Sequence, residues 1–244
     1  MDEMLCECTK YIGITGITTK EDVSVITEEL DNHLGMYGIL MNRQTVQGRP
    51  RHGRWAGLED IPDLMKGMPN YALKTIHWCD NSLDEKKVLK AIEATEGNCN
   101  AIQLNLVYPS PNFFKMLKEN YNLETIFQIE SCMFEKPKVM KKKILPYVGV
   151  VDYVLIDQSM GAGKAIDVRV SRAVANELKD LEFGIVFAGG LDAAKVVEAA
   201  ALIEEFRASI DAEGRLMKDK SDGLDLIKVR DYIRAAFPIM KGDI

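Results

Sequence analysis

Eight short apolar runs, each followed by a helical pattern, predict an α/β chain closed into a single-domain (β/α)8 TIM barrel over residues 1–244. Three observations carry that prediction. The alternation of strand and helix patterns is regular from end to end. A length of 244 residues is usual for a one-domain barrel. Little sequence remains once eight units are assigned, which disfavours an open, doubly wound sheet.

Tyr11 to Ile17 reads as the first strand. Thr18 or Thr19 can cap the helix that follows, with Glu21 and Asp22 in its first turn, where acids are favoured, and the helix runs to about His33. The next strands are Met36 to Met41, Leu73 to Trp78, Ala101 to Val107 and Thr125 to Ile129. Val151 to Ile156, Phe183 to Ala188 and Phe206 to Ile210 complete the eight. Helical segments fall at about 58–67, 84–96, 111–119, 136–145, 169–180, 192–204 and 224–236. Asp84, Pro111, Pro137 and Asp192 stand near helix starts, as acids and prolines do.

The composition, 47% hydrophobic and 28% charged, suits a large packed core. A net charge of −6 argues against nucleic acid as the main partner, because a phosphate backbone needs a basic face. No apolar run reaches the roughly 18 residues of a membrane span, and the start MDEMLCECTK has no signal-peptide core. Five scattered cysteines suit a reducing cytoplasm rather than a disulfide scaffold. Cys6 and Cys8 have no second cysteine pair nearby and the chain has only three histidines, so no metal site is expected.

In such a barrel the functional residues lie at the C-terminal ends of the strands. That filter selects Ile14 and Thr15, Asn42 and Arg43, Trp78 to Asp80, Gln103 and Asn105, Gln128 and Glu130, Asp157, Gly189 and Gly190, and Asp211 to Gly214. The sixth unit is the most informative. Its strand delivers one acid, Asp157, beside a glycine turn, Gly161-Ala162-Gly163-Lys164, whose backbone N–H groups and lysine suit an anion. Gly189-Gly190 opens a helix and offers further N–H groups. The loop 42–57 after the second strand is long and carries Arg43, Arg49, Arg51 and Arg54 without an acid, as an anion-recognising flap would.

These residues resemble one family, phosphoribosylanthranilate isomerase, the barrel enzyme of tryptophan biosynthesis. Lys10-Tyr11-Ile12-Gly13-Ile14-Thr15 is similar to its K-x-C-G-I-T, and Leu155-Ile156-Asp157 to its L-L-D. The run 161–167 resembles G-T-G-K-T-F-D, and Ala188-Gly189-Gly190-Leu191 matches A-G-G-L. Gln103-Leu104-Asn105 resembles Q-L-H, and Arg54 to Asp60 the entry to the second helix. The resemblance implies that Asp157 is the general acid and that Arg54 contacts a substrate carboxylate. It makes Gln103 and Asn105 lining residues, which Gln128 joins by its place at the end of the fifth strand. It also implies that Gly161, Gly163, Lys164, Gly189, Gly190 and Gly214 cradle a phosphate. A small phosphorylated substrate, no cofactor, and a monomer or homodimer are expected.

Three positions depart from the family pattern. The family's base cysteine falls on Ile12, its fourth-strand histidine is Asn105, and its eighth-loop serine is Glu213, whose charge opposes a phosphate unless it pairs with Arg215 or Lys164. The aspartate before that serine falls on Ile210, and a one-residue slip brings Asp211 into its place. Cys79 and Glu130 are candidate replacement bases. His77 reads as structural, and Trp55 and Trp78 as packing residues that could also stack on a ring. Two other functions suit the same barrel. One is an aldolase or lyase using Lys10 or another amine as its Schiff-base residue; the other is a non-catalytic relative that kept the phosphate site.

Overall fold

The computed structural model describes residues 9–49, 53–105, 108–129, 134, 136–157, 166–219 and 223–242. Eight parallel strands close into a barrel in chain order: β1 (Ile12–Thr15), β2 (Gly35–Met41), β3 (Leu73–Cys79), β4 (Ala101–Asn105), β5 (Glu124–Ile129), β6 (Tyr153–Asp157), β7 (Gly184–Ala188) and β8 (Ser209–Ala212). The outer layer comprises α1 (Lys20–Leu30), α2 (Ile61–Gly67), α3 (Glu85–Glu93), α4 (Pro111–Tyr121), α5 (Pro137–Ile144), α6 (Val168–Leu178), α7 (Ala193–Glu198), α8 (Ala200–Glu205) and α9 (Leu226–Lys241). Closure is made by β1 against β8, with Ile12 opposite Ile210 and Gly13 opposite Asp211. Among the described residues, no helix is long and apolar enough to cross a membrane.

The helix starts are set by local side chains. Thr19 and Asp22 form a reciprocal capping box on α1. Asp84, Ser110, Asp167, Asp192 and Asp225 each accept backbone N–H bonds at the start of α3, α4, α6, α7 and α9. The helix expected at 192–204 is divided at Ala199, which leaves helical geometry (φ −91°, ψ 0°) between α7 and α8.

Strand residues alternate between two cores. One set, including Ile12, Ile14, Tyr37, Ile76 and Trp78, packs between barrel and helices. The other, including Tyr11, Met36, Leu73, Ile126, Tyr153 and Val186, fills the barrel axis. Trp78 is fully buried in the outer set and so is a packing residue, as its type suggests.

Two strand boundaries differ from those expected, for identifiable reasons. β1 ends at Thr15, not Ile17, because Gly16 turns left-handed (φ 103°) and sends both its own N–H and that of Ile17 to the Gly38 carbonyl. β8 begins at Ser209, not Phe206. Phe206 and Arg207 close the turn after α8, with Arg207 left-handed at φ 48°, so Asp211 falls inside the strand.

Gly13 shows how tightly the β1–β8 seam is closed. A Cβ there meets the Asp211 carboxylate and the Ile210 carbonyl oxygen at 2.9 Å each and Met36 Cε at 3.0 Å. The carbonyl belongs to a paired strand and cannot move aside cheaply. Gly13→Ala is therefore expected to destabilise the fold by about 1–3 kcal/mol, the usual cost of overpacking, read as a lower urea midpoint at unchanged m-value.

Candidate functional site

A cavity opens at the C-terminal mouth of the barrel. Its floor is made of the inward residues of the strands; on β3 to β6 these turn polar toward the mouth, on β8 they are polar throughout, and on β7 Val186 and Ala188 stay apolar. On β3 Leu73 and Thr75 give way to His77; on β4 Ala101 gives way to Gln103 and Asn105; on β5 Ile126 gives way to Gln128; on β6 Leu155 gives way to Asp157. On β8 Ser209 is followed by Asp211 and then Glu213. Seven of the expected site residues, Asp157, Gln103, Asn105, Gln128, Gly189, Gly190 and Gly214, thus share one cavity. Gly161, Gly163, Lys164 and Glu130 lie outside the described residues.

Asp157 is buried at the end of β6 and accepts a hydrogen bond from Gln128 Nε2 at 3.3 Å. His77 faces the same space, with its Nε2 3.3 Å from both the Gln103 and the Asn105 amide nitrogens. Burial, helped by the positive charge of Arg54, pushes His77 down to about 3, so its imidazole is neutral at physiological pH. The isolated histidine expected to be structural is therefore part of the cavity wall.

Arg54 is the one arginine of loop 42–57 tied to this wall among the described residues. It pairs with Glu213. Arg43 instead pairs with Asp80 at 3.4 Å, and Arg49 is exposed. Arg215, an expected partner for Glu213, is taken by Asp192 at 3.0 Å. Asp192 in turn accepts the Lys195 N–H, which uses one of the N–H groups expected to serve an anion at the start of α7.

Asp211, selected in the sequence just beyond the eighth strand, lies inside it. It is 5% exposed, accepts a hydrogen bond from Thr15 Oγ1 at 3.1 Å and is also hydrogen-bonded by Gln103. Burial, and then the neighbouring Glu213 and Asp157 charges, raise it to about 7. The available signal was the polar alternation Ser209, Asp211, Glu213 around apolar Ile210 and Ala212. Because its pKa is higher folded than unfolded, Asp211 contributes stability below about pH 4 that is lost as pH rises through about 7. Asp211→Asn removes that dependence. The stability difference between wild type and variant is expected to shift by on the order of 3–4 kcal/mol in favour of the variant from pH 4 to pH 8, measured by urea unfolding at each pH.

No protein-family profile matches the chain. It is 26% identical over 224 residues to the N-(5′-phosphoribosyl)anthranilate isomerase of Methanococcus aeolicus, covering 90% of this chain and 95% of that protein. It is 29% identical over 236 residues to the protein of the same name from Pyrococcus abyssi, covering 95% and 100%. The crystal structure of phosphoribosyl anthranilate isomerase from Thermotoga maritima superposes with a TM-score of 0.68 at 19% identity, over 93% of this chain and 98% of that one. The chain is phosphoribosylanthranilate-isomerase-like.

Within that isomerase-like frame two expectations are corrected. Ile12 packs between barrel and helices, so it does not stand where a base would meet substrate. The inward residue ending β1 is Thr15, and the C-G-I-T of the family motif fits Thr15-Gly16-Ile17-Thr18 as well as it fits 12–15. A threonine hydroxyl is no base at neutral pH, so the family's base is still missing from β1. Lys10, weighed as a Schiff-base amine, points away from the barrel axis and donates to the Met240 carbonyl of α9 at 2.7 Å. That geometry removes Lys10 as the Schiff-base amine of an aldolase.

Proposed function

We propose that this protein is an aldose–ketose isomerase of the phosphoribosylanthranilate isomerase type, acting on a phosphorylated ribosyl amine without a cofactor. The observation that carries the reading is Asp157. It is a buried carboxyl at the C-terminal end of β6, in a cavity shared with Gly189 and Gly190 at the end of β7. In the proposed reaction Asp157 protonates the ribose ring oxygen, and the C1′–O bond breaks as the amine nitrogen forms an iminium with C1′. A base then removes the proton on C2′, giving an enolamine. This ketonises by losing the C2′ hydroxyl proton and gaining one at C1′.

Three carboxyls, Asp157, Asp211 and Glu213, act on one another at this cavity, and Glu213 pairs with the guanidinium of Arg54. Burial and the like charges around them raise Asp211 and Glu213 and favour their protonated forms. Gly189, Gly190 and Gly214 are proposed to face the phosphate, together with Gly161, Gly163 and Lys164 by resemblance. The test is conversion of N-(5′-phosphoribosyl)anthranilate, followed as loss of its fluorescence, alongside related ribosylamine 5-phosphates followed by NMR. Turnover of at least one, abolished by Asp157→Asn, is expected. Turnover of none overturns the reading.

A further inference from the structure

Isomerisation needs a base as well as an acid, and β1 offers only Thr15 and the outward-facing Ile12. The remaining groups on the cavity wall narrow the choice. Glu213 is engaged by Arg54. His77 is fixed between two amides. Cys79 sits at the rim end of β3, partly exposed and outside the cavity lining. Asp211 is different. Its carboxyl lies on the cavity floor at the seam of β1 and β8, held by the Thr15 hydroxyl and the Gln103 amide.

The backbone makes room for this arrangement. A Cβ on Gly13 meets Asp211 Oδ1 at 2.9 Å, and a Cβ on Gly38 meets Thr15 Oγ1 at 2.5 Å. Two neighbouring inward positions on β1 and β2 therefore lack side chains where the carboxyl and its hydroxyl donor sit. Asp157 lies on the other side of β7, close enough for its charge to act on Asp211.

Resting on the isomerase reading, we propose that Asp211, oriented by Thr15 and Gln103, is the base that takes the C2′ proton while Asp157 acts as acid from the far side of β7. The C2′–H electron pair becomes the C1′=C2′ bond, and the iminium π pair returns to nitrogen. The proton given by Asp157 and the one taken by Asp211 balance, and both carboxyls reset during ketonisation. A carboxylate raised toward neutrality is a stronger base than an ordinary one and is still largely ionised above pH 7. The groups that face Asp211 and set its charge are Glu213 and Asp157 and the hydrogen-bonding Thr15 and Gln103, while its own charge raises the buried phenols Tyr11 on the barrel axis and Tyr232 on α9.

The experiment is steady-state kinetics of the full chain across pH 5–9 on the ribosylamine phosphate it turns over, with protium or deuterium at C2′. Wild-type kcat/KM is expected to rise through about pH 7. Asp211→Asn is expected to lose about 10²–10⁴-fold in kcat, with KM within a few-fold and a larger C2′ isotope effect. Asp211→Glu should recover part of the rate. Thr15→Val, which removes a hydrogen bond that lowers the Asp211 pKa, should move the acidic limb upward; this variant carries the test even if Asp211→Asn does not fold. Asp211→Asn turning over within ten-fold of wild type, or Thr15→Val leaving the limb in place, overturns the assignment. Wild type active and Asp157→Asn inactive in the same series would confine the failure to Asp211. A wild type inactive on every ribosylamine phosphate overturns both readings.

Discussion

Asp157→Asn is expected to lower kcat by about 10²–10⁴-fold on whichever ribosylamine phosphate the protein isomerises, with KM changed by no more than a few-fold. The substitution is close to isosteric. Its amide oxygen can still accept from Gln128 Nε2, now 3.3 Å from Asp157 Oδ2, so the wall of the cavity is preserved. What is lost is the proton for the ring oxygen, which an amide cannot supply. A loss in kcat at constant KM marks an interaction made in the transition state, whereas a structural role for Asp157 predicts a higher KM or a lower urea midpoint. Single-turnover fluorescence with N-(5′-phosphoribosyl)anthranilate, followed to completion, separates the two. A variant within ten-fold of wild type removes Asp157 from the chemistry.

The strand count, the chain order of the barrel and the placement of Asp157 were all legible in the sequence, because apolar runs and capping residues report local structure directly. Side-chain direction was less legible. In a strand a small register error reverses which residues face the axis. Gly13-Ile14-Thr15 and Gly16-Ile17-Thr18 repeat the same three residues, so the motif fits two registers, and only the left-handed turn at Gly16 shows that Thr15 is the last inward residue. At β8 the apolar Phe206 and Ala208 read as strand. They belong instead to the turn after α8 and the approach to the barrel, so Asp211 lies inside the strand and not just beyond its end. Pairing across the cavity was not legible at all. Arg54 and Glu213 are far apart in the chain, and neither spacing nor composition links them.

That pair leads to the second large effect. Glu213 stands where the resembled family has serine, and it holds the arginine that the resemblance assigns to a substrate carboxylate. Arg54 and Glu213 are 22% and 17% exposed in their side chains, so their attraction is only partly screened, and a substrate carboxylate has to displace Glu213 to reach the guanidinium. Glu213→Ser is therefore expected to raise kcat/KM for N-(5′-phosphoribosyl)anthranilate by about ten-fold or more, on the order of 1.4 kcal/mol of freed pairing. It should do so at a cost in stability of about 1–3 kcal/mol, because the free protein then holds a partly buried guanidinium without its carboxylate. The same substitution removes a charge that raises Asp211, so the acidic limb of the pH profile should move down. Arg54→Met tests the pair from the other side. It leaves Glu213 buried without a cation, which favours its protonated form, and it removes any gain from Glu213→Ser in the double variant. If Glu213→Ser gains nothing on the anthranilate substrate while its stability falls as expected, Arg54 is a structural partner of Glu213, and the chain selects a substrate without a carboxylate at that position.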